Sequence, residues 1–283
     1  MSIAQLPCRQ LAPTTQSYNE RDTILYALGL GIGAEPTDPL HLRFTYEDGL
    51  SSIPTFATAL GAPTAWMWES DNHINGPHLV ALSHDLEIFN ELPIAGTVNS
   101  HVKVTDVFDR GEGKGALIHW ERDLTDANSG KLLSRMRARA LARANGGFGG
   151  IKPPPRPDEI IPERPADFHE KWTTIRAQAL IYRLSGDRNP LHVDPNVALN
   201  AGFERPILHG LCSLGIACFL IIKTACGGDP AKLQRISARY AGIAYPGETL
   251  AIELWQEEKL WLFRCRSETS GQLVLDGGAA LIK

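Results

Sequence analysis

Apolar residues fall at every second position over 97–124 and again over 248–265. That is the period of half-buried antiparallel strands. Tight turns at Gly111–Gly115 and at Glu257-Glu258 break each run into paired strands. Each run leads into a Ser-Gly turn, in "ERDLTDANSGKLL" (121–133) and "CRSETSGQLV" (265–274). Well before each run, "ILYALGLG" (24–31) resembles "LIYRLSGD" (180–187) through a shared Tyr-x-Leu. The chain therefore reads as one unit present twice, each an early helical region followed by an antiparallel meander, an α+β arrangement. In the second half, 207–222 is apolar on nearly every face, as a helix enclosed by a sheet must be. Before it, Asp194 is placed to cap a short helix with Pro195 first and Gly202 as its stop. The long helix of the first half is expected near 76–90, "GPHLVALSHDLEIFN". The Gly- and Pro-rich stretch "NGGFGGIKPPPRPDEIIPERPADF" divides the chain into a first unit, 1–145, a linker, 146–168, and a second unit, 169–283.

Composition narrows the class. Hydrophobic residues at 43% and charged residues at 21% suit a soluble globular chain and exclude a disordered one. A net charge of −4 offers no global attraction to nucleic acid or anionic membrane, so a phosphate-bearing ligand must meet a local basic patch. The longest apolar stretch, 207–222, falls short of the roughly 20 residues of a membrane span and contains His209. No basic flank and apolar run marks a signal peptide at the N-terminus. Cys8, Cys212, Cys218, Cys226 and Cys265 form an odd set without a C-x-x-C pair, which reads as reduced core thiols.

The candidate chemistry centres on "YRLSGDRNPLHVDP", 182–195. Gly186 permits a sharp turn, Pro190 stops helix and sheet, and Asn189 can hold the loop through side-chain bonds to the backbone. Such a corner can aim Asp187 and His192 at one water, between which a proton can pass. The alternative is that Asp187 only caps a turn and His192 is a satisfied surface histidine. Gly210 opens the buried helix, where free N–H groups suit a carbonyl oxygen that gains charge; a glycine required only for close packing is the alternative. Other signals carry less. "GLGIG" (29–33) lacks the spacing of a dinucleotide loop. Arg135, Arg137 and Arg139 share a strand face and read as solvated before they read as a phosphate site. His73, His78 and His84 lack the carboxylate spacing of a metal centre, so no metal is expected.

"Y-R-L-S-G-D-R-N-P-L-H", followed by "H-G-L", resembles the signature of the MaoC-like (R)-specific enoyl-CoA hydratases, the hydratase 2 family, and the likeness spans nearly the whole chain. The resemblance implies a double hot-dog fold, two tandem units each with a long central helix wrapped by an antiparallel sheet. It implies a catalytic loop kept only in the second half, since "YALGLGIGAEP" stands in its place in the first. It further implies that Asp187 and His192 are the catalytic pair, that Asn189 shapes their loop and that the Gly210 amide binds the thioester oxygen. Arg110, in "DVFDRGEGKG", would contact the coenzyme A moiety, and Tyr240, in "ARYAGIAYPGETL", would line the ligand site. The family's H-G-E-Q run is missing, with "ALSHDLEIFNELP" (81–93) there instead. The implied reaction is hydration of a trans-2-enoyl-CoA to a (3R)-3-hydroxyacyl-CoA, with an acyl-CoA thioester as partner and no further cofactor, by a homodimer. The ending "LIK" is not a peroxisomal S-K-L, so a cytoplasmic setting is expected. A hot-dog acyl-CoA thioesterase and a non-catalytic acyl-CoA binding protein are the alternatives. The apolar segment 51–66 would help to line the acyl site.

Overall fold

The computed structural model describes residues 3–74, 79–154 and 161–283. Among these, ten strands join in one antiparallel sheet: β1 (Thr14–Tyr18), β2 (Leu79–Ile88), β3 (Gly96–Asp109), β4 (Ala116–Asp126), β5 (Leu132–Ala142), β6 (Phe168–Thr173), β7 (Leu233–Tyr240), β8 (Thr249–Glu257), β9 (Leu260–Ser267) and β10 (Leu273–Ile282). Their order is β1-β3-β4-β5-β2-β7-β10-β9-β8-β6. Exchanging each strand for its counterpart five places on in the chain reverses this order into itself. The sheet is thus two equal halves about a pseudo-two-fold axis at the β2–β7 seam, which is the duplication seen in the patterning.

Local chemistry repeats with the topology. Gly130 N–H donates to the Asp126 carbonyl at 2.9 Å, and Gly271 N–H donates to the Ser267 carbonyl at 2.8 Å. Asp126 Oδ1 accepts from the Ser129 N–H, and Ser267 Oγ from the Ser270 N–H. Both glycines have positive φ, 72° and 69°, which explains why each copy ends its turn on glycine.

Helices α1 (Glu20–Gly29), α2 (Pro39–Leu42), α3 (Gln178–Tyr182), α4 (Pro195–Asn200) and α5 (Gly210–Ala225) cover one face. α5 buries every residue from 212 to 222, as the unbroken apolar run requires. α1 and α3, the matching early helices, meet across the axis. Tyr26 and Tyr182 stand with ring centroids 5.8 Å apart, and a Cβ on Gly29 would lie 3.1 Å from the Tyr182 Cα. α4 starts as expected, with Asp194 Oδ1 accepting from Asn196 N–H at 2.8 Å and Pro195 first. Cys212, Cys218, Cys226 and Cys265 are buried free thiols, and Cys8 is exposed.

The helix expected near 76–90 is not there. Leu79–Ile88 is β2, the first half's contribution to the seam. From Leu82 to Ile88 apolar or ring side chains alternate with Ser83, Asp85 and Glu87, a two-residue period that outweighs the helical reading. Residues 76–78 lie outside the described residues. Where the second half has α5, the first has short 3-10 turns, among them Pro54–Thr58 and Ala65–Trp68. Pro54, Pro63 and the positive φ of Gly61 (73°) prevent a continuous helix. Arg122 of β4 braces this segment: its buried guanidinium donates to the carbonyls of Ala57 at 2.5 Å and Leu60 at 3.1 Å.

At the seam, Asp85 and Arg235 form a two-pronged ion pair at 2.8 Å, and His84 turns inward, its Nδ1 in a hydrogen bond with the Tyr240 hydroxyl at 2.9 Å. Burial, with the Arg122 charge adding, pushes His84 down from 6.5 to about 4. The folded state therefore refuses a proton that the unfolded chain takes up below pH 6.5, so His84 withdraws stability as pH falls from there towards about 4. At about pH 5 the loss amounts to about 2 kcal/mol. Urea unfolding at about pH 7 and about pH 5 should show a His84→Gln variant losing less stability than the parent by roughly that amount. Equal losses would place the proton uptake elsewhere.

Candidate active site

The corner at 186–192 is built from short-range bonds. Gly186 has φ 146°, and a Cβ there would stand 3.0 Å from the Ala59 carbonyl oxygen, so the corner sits directly on the 3-10 segment of the first half. Asp187 Oδ1 accepts from the Asn189 N–H at 3.1 Å, and Asn189 Oδ1 accepts from the Leu191 N–H at 3.0 Å. Pro190 then starts a single 3-10 turn that ends at His192. Asp187 thus does cap the turn, as the plainer reading held, and it also keeps its second oxygen free to face inward.

His192 Nδ1 lies 2.9 Å from the Ile207 carbonyl oxygen. A carbonyl only accepts, so the ring proton sits on Nδ1 and Nε2 carries a lone pair. That Nε2 faces Asp187 Oδ2 at 4.0 Å. The two differ in surroundings: the His192 side chain is 9% exposed and that of Asp187 45%. Burial lowers His192 below its usual 6.5, with the Asp187 charge and the Ile207 carbonyl pulling the other way. The result is a neutral imidazole whose basic nitrogen looks at a carboxylate.

His209 belongs to the same cluster, although its neighbourhood in the chain pointed only to Gly210. Its ring stacks on that of His192, centroids 3.6 Å apart and planes 23° apart, and its Nε2–H donates to the Asp187 backbone carbonyl at 3.1 Å. Burial first, then His192, pushes it down to about 2. Ligand atoms of Asp187, His192 and His209 lie within 4.8 Å of one another, the one such grouping of metal-ligand type among the described residues. Each histidine commits one nitrogen to a carbonyl.

Gly210 follows as the first residue of α5. The N–H groups of Gly210 and Leu211 have no acceptor among the described residues, and no side chain caps the helix. Tyr240 packs against this end so tightly that a Cβ on Gly210 would meet its ring at 2.8 Å. The close-packing reading of Gly210 is therefore satisfied, while its N–H remains available.

The structure thus gathers Asp187, Asn189, His192, Gly210 and Tyr240. Arg110 stands apart, exposed on the β3–β4 turn, four strands from β7 in the sheet. Arg135 pairs with Asp123 at 2.6 Å, and Arg137 with Glu87 at 3.3 Å, the solvated ion-paired face. His73 is exposed, His78 lies outside the described residues and His84 serves Tyr240. A cavity of about 600 Å³ opens beside His192, with Ala179, Leu180 and Pro206 on its walls and exposed Arg176 and Arg205 at its edge. His84 had one signal in the chain, its place on the core side of an alternating strand. His209 had another, a histidine directly before the glycine that opens a buried helix.

Comparison with known proteins adds to this geometry. Residues 159–276 match the MaoC like domain, and residues 16–144 match the MFE-2 hydratase 2 N-terminal domain. The chain is 36% identical over 279 residues to enoyl-CoA hydratase ChsH3 of Mycobacterium tuberculosis, covering 96% of each. A MaoC-like dehydratase from Phytophthora capsici superposes with a TM-score of 0.87 at 31% identity, over 100% of this chain and 99% of that one. A Mycobacterium tuberculosis protein described as having a double hot-dog fold superposes at 0.60 with 13% identity, a likeness of fold alone.

Gly210→Ala should drive its Cβ into the Tyr240 ring and cost about 1–3 kcal/mol of stability. Adding Tyr240→Leu should recover part of that loss, because the two sites share one contact. Thermal melts of the single and double variants measure it, and a Gly210→Ala protein that melts with the parent would refute the contact.

Proposed function

We propose, for a chain that belongs to the MaoC-like dehydratase family and carries the hydratase 2 N-terminal domain, that it reversibly hydrates a trans-2-enoyl-CoA to a (3R)-3-hydroxyacyl-CoA. The observation that carries the residue assignment is the His192 Nε2 lone pair facing Asp187 Oδ2 across 4.0 Å. That gap is too long for a hydrogen bond, but a water at about 2.8 Å from each atom would bridge it at an angle of about 90°.

In this reading the neutral His192 takes a proton from the water at Nε2 while the water oxygen bonds the β-carbon. The double-bond electrons move towards the thioester carbonyl, whose oxygen gains charge and is met by the Gly210 N–H. A donor so placed contributes about 3 kcal/mol. The proton then passes from His192 by way of Asp187 Oδ2 to the α-carbon on the same face, which restores the neutral imidazole and completes addition of one water. Asn189 holds the loop, and Tyr240 sets the height of the Gly210 amide.

The acyl chain follows the first half. The buried segment from Ile53 to Leu60 lies against Gly186 on one side and helps to line a second cavity of about 400 Å³, with Pro54, Ala57, Ile88 and Leu133, on the other. The first unit then acts in acyl and coenzyme A binding without catalysing, and Arg110 reaches for the coenzyme A from the sheet end on which Tyr240 also lies. A homodimer, on family resemblance, and a cytoplasmic setting belong to the same proposal, whereas the relative enoyl-CoA hydratase 2 of Arabidopsis thaliana is peroxisomal. No helix among the described residues is long and apolar enough to cross a membrane.

Incubation with crotonyl-CoA should bleach the conjugated thioester's absorbance and yield the (3R)-hydroxy product. Asp187→Asn and His192→Gln should each lower kcat by about a hundredfold or more with the fold intact. Release of free thiol in place of hydration would favour the thioesterase. Full activity in either variant would remove that residue from the mechanism.

A further inference from the structure

The three groups assigned to catalysis come from different parts of the chain: Asp187 and His192 from the corner, Gly210 from the start of α5. One buried residue adjoins all three positions. His209 is 1% exposed. It donates from Nε2 to the Asp187 carbonyl, stacks on His192 and is joined to Gly210 by the peptide bond. On its other side stands Tyr182 of α3, ring centroids 5.0 Å apart. The charged and titratable groups that face it are His192 and Asp187 on the corner, and Tyr182 and Arg183 at the end of α3.

Its hydrogen bonds set its state. Because Nε2 meets a carbonyl, Nε2 carries the proton, and Nδ1 is a buried lone pair without a partner among the described residues. His192 has the opposite tautomer, held by Ile207. Two imidazoles stacked this closely cannot both be charged without repelling at short range. The one next to the carboxylate must be the one that takes the proton. The other then offers it a neutral π face, the arrangement that favours a stacked cation.

We propose that His209 is a positioning residue for the hydration reaction: a permanently neutral plate that orients the His192 ring, supports its protonated form and ties the Asp187 backbone to the start of α5. This rests on the reading of the site as a hydratase centre. His209 does not touch the substrate in that reading and acts only through its two neighbours. The depression of His209 to about 2 agrees with a ring that stays uncharged throughout the working range.

The two tasks separate by substitution. His209→Gln keeps an N–H for the Asp187 carbonyl but removes the ring, whereas His209→Phe keeps a ring face but removes the donor. With crotonyl-CoA, each should lower kcat by about tenfold to a hundredfold and leave KM nearly unchanged. Only His209→Gln should also move the acid limb of the kcat profile to lower pH, because His192 loses the face that supports its cation. A role in folding alone would lower melting temperature without moving that limb. Wild-type kcat and acid limb in both folded variants would overturn the proposal, and so would an unmoved limb in His209→Gln.

Histidine NMR on the unmodified protein gives a second readout that does not depend on a variant folding. His209 should remain neutral with its proton on Nε2 from about pH 8 to about pH 4. Titration within that window, or a proton on Nδ1, would overturn the proposal. A wild-type protein with the expected His209 signal that leaves crotonyl-CoA unchanged would support this geometry and refute the hydratase reading instead.

Discussion

Five residue pairs, from Ser83 opposite Arg239 to Glu87 opposite Arg235, hold the two halves in one sheet, and the long-range contacts of the site follow from their register. Strand side chains alternate between faces, so a slip of one residue would turn His84 to the outer face and carry Asp85 inward. The Tyr240 hydroxyl would lose its hydrogen-bond partner, and the ring beneath Gly210 would lose its support. The paired α1 and α3 would also part, because they meet across the same axis. A single antiparallel seam therefore sets both the size of the sheet and the place where the 3-10 segment of the first half can touch Gly186.

Within that frame the site is controlled by backbone carbonyls. Ile207 fixes the tautomer of His192, and the Asp187 carbonyl fixes that of His209. Neither carbonyl belongs to a side chain, so the proton pattern is a property of how the corner and the stretch before α5 lie together. Burial keeps both rings neutral, and the half-exposed Asp187 side chain supplies the one negative charge of the cluster. The helix dipole and the free N–H groups at the start of α5 add a positive end to the same small volume.

The two halves share a sheet plan but not an interior. The second encloses α5 and keeps the corner. The first replaces a long helix with 3-10 turns braced by Arg122, a buried cation whose partners are two carbonyls of that segment. Holding a guanidinium in such a place costs desolvation, and burial lowers its proton affinity to about 10, still well above neutrality. Its two hydrogen bonds keep an irregular segment in one conformation where no regular element could do so, directly behind the corner.

The strands and turns of this protein were legible in the chain because their causes are local. Alternation marks β3, β4, β8 and β9, Ser-Gly marks the hairpin turns, and Asp194-Pro195 marks the start of α4. The corner itself was legible for the same reason: Gly186, Asn189 and Pro190 act on their immediate neighbours, and they bring Asp187 and His192 to one place by short-range bonds. Position β2 was misread as a helix because its centre holds a histidine where an apolar residue would have made the alternation plain. The tautomer of His192, the stacking of His209 and the fit of Tyr240 under Gly210 depend on atoms 15 to 30 positions apart, and the Tyr240–His84 bond on atoms 156 apart. Sequence determined which residues could do chemistry and where the backbone had to bend; only tertiary structure decided which carbonyl each ring would face, because that choice depends on two distant segments arriving at one point.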